Sequence, residues 1–487
     1  MTVLDAEGNP VSGSSVVLES SGSGNLITQP VGVTGPGGVA TGRISSTVAE
    51  TKTVRARIDG SYMTGELSLV FRPGDVSLTL STISGDKSTV VADGVDEVGV
   101  TVTVRDSDGN TVSGSSVVLE SSGSGNTITQ PVGVTGSNGI AVGAVSSTVA
   151  EGKTVRALVD GSYLVAELTV SFVAGPVDLG VSEIASDVDT VVADGSDEAV
   201  ITVTVLDAEG NPVSGSSVVL ESSGSGNLIT QPVGVTGPGG VATGRISSTV
   251  AETKTVRARI DGSYMTGELS LVFIAGDLDY FVITHDGNAT AGTGENIHVE
   301  AFDAEGNMVE GFDGIVTLYT DSSEPTDMIT WGIGDGAGSI LDETGDVLTY
   351  QFSASDGGDV TFSITDNRAE SIYIIAESGT ALSASATRLT VGHGAADRVF
   401  IISGDGQRAV VGYPVPLPLV AAVEDRWGNR VSGETVTFSV VSGGGSIDTD
   451  TGTPGIQTSE TTGSAGTVSC DSWILGTTSG QDSDGAR

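Results

Sequence analysis

The sequence predicts an all-β protein assembled as a tandem array of two-layer sandwiches, and three observations predict it. A polar turn, Asp207-Ala-Glu-Gly-Asn-Pro-Val-Ser-Gly215, returns as the same string at Asp5 to Gly13 and as a close variant at Asp106 to Gly114. Looser copies stand at Asp303 to Asn307 and Asp425 to Asn429. The first three copies begin at residues 5, 106 and 207, and a fixed long period marks a row of similar domains. Between the turns, aliphatic residues alternate with polar ones at period two and no helical period appears, which is strand patterning.

The third unit is the template. Val177 to Ile184 reads as an opening strand, Thr190 to Ala193 as its continuation, Asp194 to Glu198 as a turn, and Val200 to Leu206 as a strand. In that strand Ile201, Val203 and Val205 share a core face, with Thr202 and Thr204 opposite. After the Asp207 turn come a strand at Ser217 to Ser222, a flexible loop at Ser223 to Asn227, short segments around Ile229 to Val235 and a Gly/Pro turn at Gly237 to Gly240. Val241 to Ser247 and Thr255 to Ile260 are further strands, the second with Val256, Ala258 and Ile260 inward and Arg257 and Arg259 outward. Asp261-Gly262-Ser263 signals a hairpin, and Met265 to Phe273 returns as the last strand. About seven short strands with turns every 8 to 12 residues describe an immunoglobulin-like sandwich.

The array divides into five units: residues 1–74, 75–175, 176–276, 277–394 and 395–487. The first lacks its opening strands, the fourth is diverged around Trp331 and Asp335, and the fifth stops where its hairpin and last strand are due. Residues 2–71 and 204–273 are identical, more identity than a core requires, which points to duplication. Linkers such as Phe172-Val-Ala-Gly-Pro176 are short and hold Pro or Gly, so little slack separates the units. With strands of about ten residues rising ~3.3 Å each, five units make a rod on the order of 170 Å.

Composition narrows the function. Aromatic residues are 4% of the chain, so cores of Val, Ile, Leu and Ala are expected. The net charge of −42 repels phosphate backbones and anionic lipid, which argues against nucleic acid and bare membrane as partners and favours cations and solubility. Cys470 is the single cysteine, so no disulfide forms within the chain. No apolar run of about 18 residues and no leader after Met1 is present; export and anchoring signals of a secreted protein are expected outside this stretch.

Ala-Asp-Gly before a Thr/Val strand, then Asp-x-x-Gly-Asn-x-x-x-Gly, then Gly-Val-Ala and Ser-Ser-Thr-Val-Ala-x-x-Lys-Thr-Val, with Trp473-Ile-Leu-Gly-Thr-Thr478 near the end, resembles the bacterial immunoglobulin-like repeats of invasin/intimin-type adhesins. The resemblance is strong over the first three units and looser over the last two. It implies a stalk on the bacterial surface that presents an adhesive tip and is not an enzyme.

The candidate chemistry is sparse. Asp106-x-Asp108-Gly109-Asn110 has its Gly fourth, whereas an EF-hand needs Gly sixth and Glu twelfth, so it reads as a turn with Gly at positive φ and Asp and Asn bonding their own backbone. Topology adds a cation expectation. Asp194, Asp197 and Glu198 should face Asp277, Asp303 and Glu305, and Asp93, Asp96 and Glu97 should face Asp178, Asp207, Glu209 and Asp261. Such carboxylates repel unless solvated or bridged, and Ca²⁺ at these joints would stiffen them. His285, His298 and His393 lack ligand spacing. No Gly-x-Ser-x-Gly elbow or phosphate cradle occurs. Lys52, Lys153 and Lys254 sit in a polar turn where exposure is expected, which disfavours amide crosslinks. Tyr62, Tyr163 and Tyr264 are expected to cover joints, and Trp427 is the aromatic best placed to meet a ligand.

The reading is a monomeric, non-enzymatic, extracellular stalk of a bacterial surface or secreted adhesin. Its partner, a host or neighbouring-cell protein or glycan, is met by a region outside this stretch. The alternatives are direct glycan or protein binding through units four and five, and a spacer within a larger carbohydrate-active enzyme.

Overall fold

The computed structural model describes residues 1–323, 328–448, 455–470, 472–477 and 484–486. Among these the secondary structure is β, with one 3₁₀ turn at Ala354–Asp356.

Unit three shows how the pattern becomes a sandwich. Its strands are β1 (Glu183–Ser186), β2 (Thr190–Val192), β3 (Ala199–Thr204), β4 (Val218–Ser222), β5 (Asn227–Thr230), β6 (Val241–Ser248), β7 (Thr253–Ile260), β8 (Ser263–Tyr264) and β9 (Leu269–Ile274). One sheet has the order β1-β3-β6-β5; the other has β2-β9-β7-β4, with β8 on β7. The opening segment therefore serves both layers, β1 pairing with β3 and β2 running parallel to β9. Ile201, Val203 and Val205 are fully buried in the alternation expected, each aliphatic side chain contributing ~1.5–3 kcal/mol of burial. The free edge at β4 is closed by Gln231, whose amide donates to Leu220 O and accepts from Leu220 N, both at 2.8 Å. A blocked edge does not template pairing with another chain.

Three details depart from the sequence reading. The opening strand is confined to β1, and Val177 makes only an isolated bridge to Asp207. The last strand, expected from Met265, begins only at Leu269 as β9, and the short β8 at Ser263–Tyr264 precedes it. Strand β7 begins at Thr253, so Lys254 joins the inward series of Val256, Ala258 and Ile260. Lys52, Lys153 and Lys254 are accordingly fully buried, contrary to the exposure expected of them. Each ammonium lies 2.6–2.7 Å from a carboxylate oxygen of Glu50, Glu151 or Glu252 and donates to a loop carbonyl, Ser23, Ser124 or Ser225. Each also stands 5.4–5.7 Å from the ring centre of Phe71, Phe172 or Phe273. Paired and hydrogen-bonded, the charge is tolerable inside.

Among the described residues five separate clusters of buried apolar side chains form, spanning Val3–Ala56, Ile83–Phe172, Val191–Phe273, Phe281–Val391 and Leu419–Trp473. The second and third are almost wholly aliphatic. The fourth departs from that expectation: Phe281, Trp331, Tyr350, Phe352 and Phe362 lie in its core, with Tyr350 edge-on to Phe352 and Phe362. Trp427, from the fifth unit, packs against this fourth cluster. In the fifth unit Asp484–Ala486 pairs with Phe438–Val440, a strand pairing at the place where the sequence reading expected the unit to stop.

Candidate functional site: the joints between units

The repeated Asp-x-x-Gly-Asn string builds the joints. In each copy Gly takes positive φ, 87° at Gly109 and 83° at Gly210, which closes the turn without a Cβ in the way. The turn Asp then gathers donors. Asp207 Oδ1 accepts from the N–H groups of Glu209 and Asn211, and Oδ2 accepts from the Asn211 amide and, at 2.8 Å, from Gly175 N in the linker. The same linker bond recurs as Gly74 to Asp106, Gly276 to Asp303 and Gly394 to Asp425, at 2.8–2.9 Å.

The Asn side chain reaches back into the unit before. Asn211 Nδ2 donates to Thr148 O at 3.1 Å while its Oδ1 accepts from Ala150 N at 2.8 Å. Asn110 makes the same pair with Thr47 and Ala49, Asn307 with Thr249 and Ala251, and Asn429 with Asn367 and Ala369. One carboxylate thus grips the linker and one carboxamide docks on the preceding loop, four times over. In unit one the Asp5 turn forms with the same internal bonds although it is exposed, so the turn is organised before it meets a neighbour.

Burial pushes the carboxyls of Asp106, Asp207, Asp303 and Asp425 up, but the Asn amide, linker Gly and turn N–H donors together outweigh it, and each lies below the ordinary carboxylate value.

The acidic residues expected to share a cation are placed as follows. Asp207 and Asp303 lie in the joint, while Glu209, Asp277 and Glu305 are exposed. Asp178 accepts from Gly180 N and Val181 N, and Asp261 from Ser217. Asp93 and Asp194 cap their own turns, while Asp96 and Asp197 accept from Val91 N and Val192 N. Asp96 also pairs with Lys87, Glu198 pairs with Arg245, and Glu97 opens a strand at an exposed position. In unit two Asn211 Nδ2 lies 3.5 Å from Ala92 O, beside the Asp93 turn. Among the described residues no three His, Cys, Asp or Glu side chains stand together as a metal set, and the oxygens of the turn aspartates already face N–H donors, a poor fit to Ca²⁺.

The aromatic expectations are corrected. Tyr62, Tyr163 and Tyr264 donate to Glu19, Glu120 and Glu221 within their own units, and Tyr62 and Tyr264 stack on Arg57 and Arg259. They belong to sheet faces. Trp427 is half-buried in the fourth joint, its indole so close over Gly292 that a Cβ there would fall 1.8 Å from Cη2. It fills the joint, packed against the fourth core.

Sequence reasoning gave the asparagines only a local turn role. The available signal was internal: across Ala-Glu, Ser-Asp and Arg-Trp at the two middle positions, only Asp, Gly and Asn recur in all five copies.

Serial sandwiches joined by repeated side-chain clasps define a multidomain array. The chain belongs to the bacterial Ig-like domain (group 1) family, which matches residues 1–70, 80–173 and 181–272. It is 25% identical over 293 residues to the inverse autotransporter adhesin YeeJ of Escherichia coli (strain K12), covering 56% of this chain and 12% of that relative. The chain therefore spans about an eighth of that protein's length. Similar solved structures include the Escherichia coli adhesin FdeC (19% identity, 67% of this chain and 100% of that chain, TM-score 0.40). Yersinia pseudotuberculosis InvD (18%, 65% and 100%, 0.42) and invasin, a bacterial integrin-binding protein (17%, 84% and 77%, 0.40), are others.

Proposed function

We propose that this chain is a non-enzymatic stalk segment of a bacterial cell-surface or secreted adhesin, holding an adhesive region at a set distance from an anchor. The observation that carries the reading is the clasp at all four joints, which ties each linker Gly to the next unit's Asp and each preceding loop to the next unit's Asn. Two bonds to a loop and one to a linker restrain bending far more than a linker alone. The similarity to an adhesin supports the surface setting.

Small-angle scattering tests it. The full chain should give a maximum dimension on the order of 170 Å, as expected of end-to-end sandwiches. A variant with Asn110, Asn211, Asn307 and Asn429 all changed to Ala should give a broader, more bent distribution with unchanged strand content. A compact wild-type particle would sink the stalk reading.

A further inference from the structure

The loop that receives the docking Asn has its own support. In unit two, Ser147 Oγ accepts from Val149 N at 3.0 Å and donates to Ser124 O and Val149 O at 3.3 Å. Ser46 and Ser248 do the same in units one and three. The next residue, Thr47, Thr148 or Thr249, supplies the carbonyl that accepts from the docking amide. A hydroxyl serves here because it accepts and donates at once.

In unit four this place is taken by Asp366. Its surroundings repeat: Gly292 N donates to Asp366 O at 2.9 Å as Gly195 N does to Ser248 O at 3.0 Å. Arg368 N donates to Asp366 Oδ1 at 2.7 Å where Val250 N donates to the serine hydroxyl, and Asn367 and Ala369 hold Asn429. An ionised carboxylate cannot donate. Asp366 is 3% exposed and its Oδ2 is buried without a hydrogen-bond partner, a costly arrangement.

We propose that Asp366 is a proton-operated latch of the joint between units four and five: protonated, it supplies the donor that serine supplies at the other joints, and it firms the loop gripped by Asn429. The backbone oxygen to which that serine also donates, Val48 O, Val149 O or Val250 O, corresponds in unit four to Arg368 O.

The electrostatics agree. Burial, opposed by the Arg368 N–H and assisted by the Glu370 carboxylate, pushes Asp366 up to about 6. A raised acid stabilises its site most below the unfolded value of about 3.9, and that contribution is lost as pH rises through about 6. The charged groups around it are Arg368 and Glu370 on its loop, the latter accepting from Ser322 Oγ, and Glu295 on the neighbouring strand. Asp425 and Arg426 come from the turn of unit five. Asp425 is held low by its own donors. Glu295 is itself pushed up, by burial and then by Asp286, so it is the competing titration.

Hydrogen exchange on the full chain between pH 4 and 7.5, corrected for intrinsic rates, decides the matter. Protection of the Arg368 and Ala369 amides should rise up to about a hundredfold as pH falls, the limit set by a displacement of about two pH units. The matching Val250 and Ala251 amides should stay flat. Asp366→Ser and Asp366→Asn should each give high, pH-independent protection, while Glu295→Gln should keep the wild-type titration. A flat wild-type profile, or a titration that survives Asp366→Ser, overturns the proposal; the unit-three amides report in every sample whether the chain is folded.

Discussion

The joint between units two and three and the joint between units four and five share one clasp and differ in what surrounds it. At both, an Asp holds the linker Gly at 2.8 Å and an Asn docks on the preceding loop. Around the first, the turn carries exposed Glu209 and the receiving loop rests on Ser147; around the second, the same places hold half-buried Trp427 and buried Asp366. The hydrogen-bonded geometry is therefore kept while the packing and the charge beside it change. A joint has a fixed part, which sets how two units meet, and a variable part, which sets how firmly.

The hardest blow to the fixed part is removal of the turn carboxylate. Asp425→Ala leaves the N–H groups of Gly394, Trp427 and Asn429 without their acceptor in a buried place, at about 1–3 kcal/mol for an unsatisfied group. Local hydrogen exchange at Gly394 should accelerate about thirtyfold or more, since 1.4 kcal/mol is a factor of ten. Asp5→Ala, in an exposed turn with the same internal bonds, should cost well under ~1 kcal/mol because water replaces the carboxylate. Equal effects at the two sites would show that the linker bond is immaterial.

The variable part comes next. Trp427→Ala removes a large side chain from Gly292 and the fourth core; full burial would cost about 3–5 kcal/mol, and a half-buried indole about 2. Trp427→Glu, which installs the residue of the Asp207 turn, should cost a similar amount yet leave Asn429 docked. Exchange at Ala369 then separates lost packing from a lost clasp.

Asn211→Ala should weigh less than the loss of the turn carboxylate, about 2 kcal/mol, because it removes two neutral hydrogen bonds and one to the Asp207 carboxylate, which keeps its backbone donors. It should speed exchange at Ala150 with no change at Ala49, whose partner is Asn110.

How much of this was legible follows from where the physics is local. Strand alternation and the Asp-Gly turns depend on near neighbours, so β3 and the hairpin at Asp261, with φ of 50°, were readable. The inward face of Lys254 was readable too, by carrying the alternation of Ile260, Ala258 and Val256 one step further; charge argued for solvent and overrode the period. The role of Asn211 was not readable from its own unit, because a turn looks the same whether or not its carboxamide meets Thr148, 63 residues earlier. Asp366 was hidden for a related reason: its loop matches Ser147 in structure, not in letters.

The smallest effect expected is that of calcium. The acidic surface attracts cations in general, with a net charge of −42, but a joint site needs six to eight oxygens turned toward one point. Asp207 turns both oxygens toward N–H groups of Glu209, Asn211 and Gly175, so a cation must displace the donors that hold the linker. Scattering curves with millimolar calcium and with chelator should superimpose, and so should exchange at Gly175. A calcium-dependent straightening with Gly175 still protected would locate the ion at exposed Glu209 or Asp277 instead. Loss of protection at Gly175 on adding calcium would mean that the ion competes for the clasp itself.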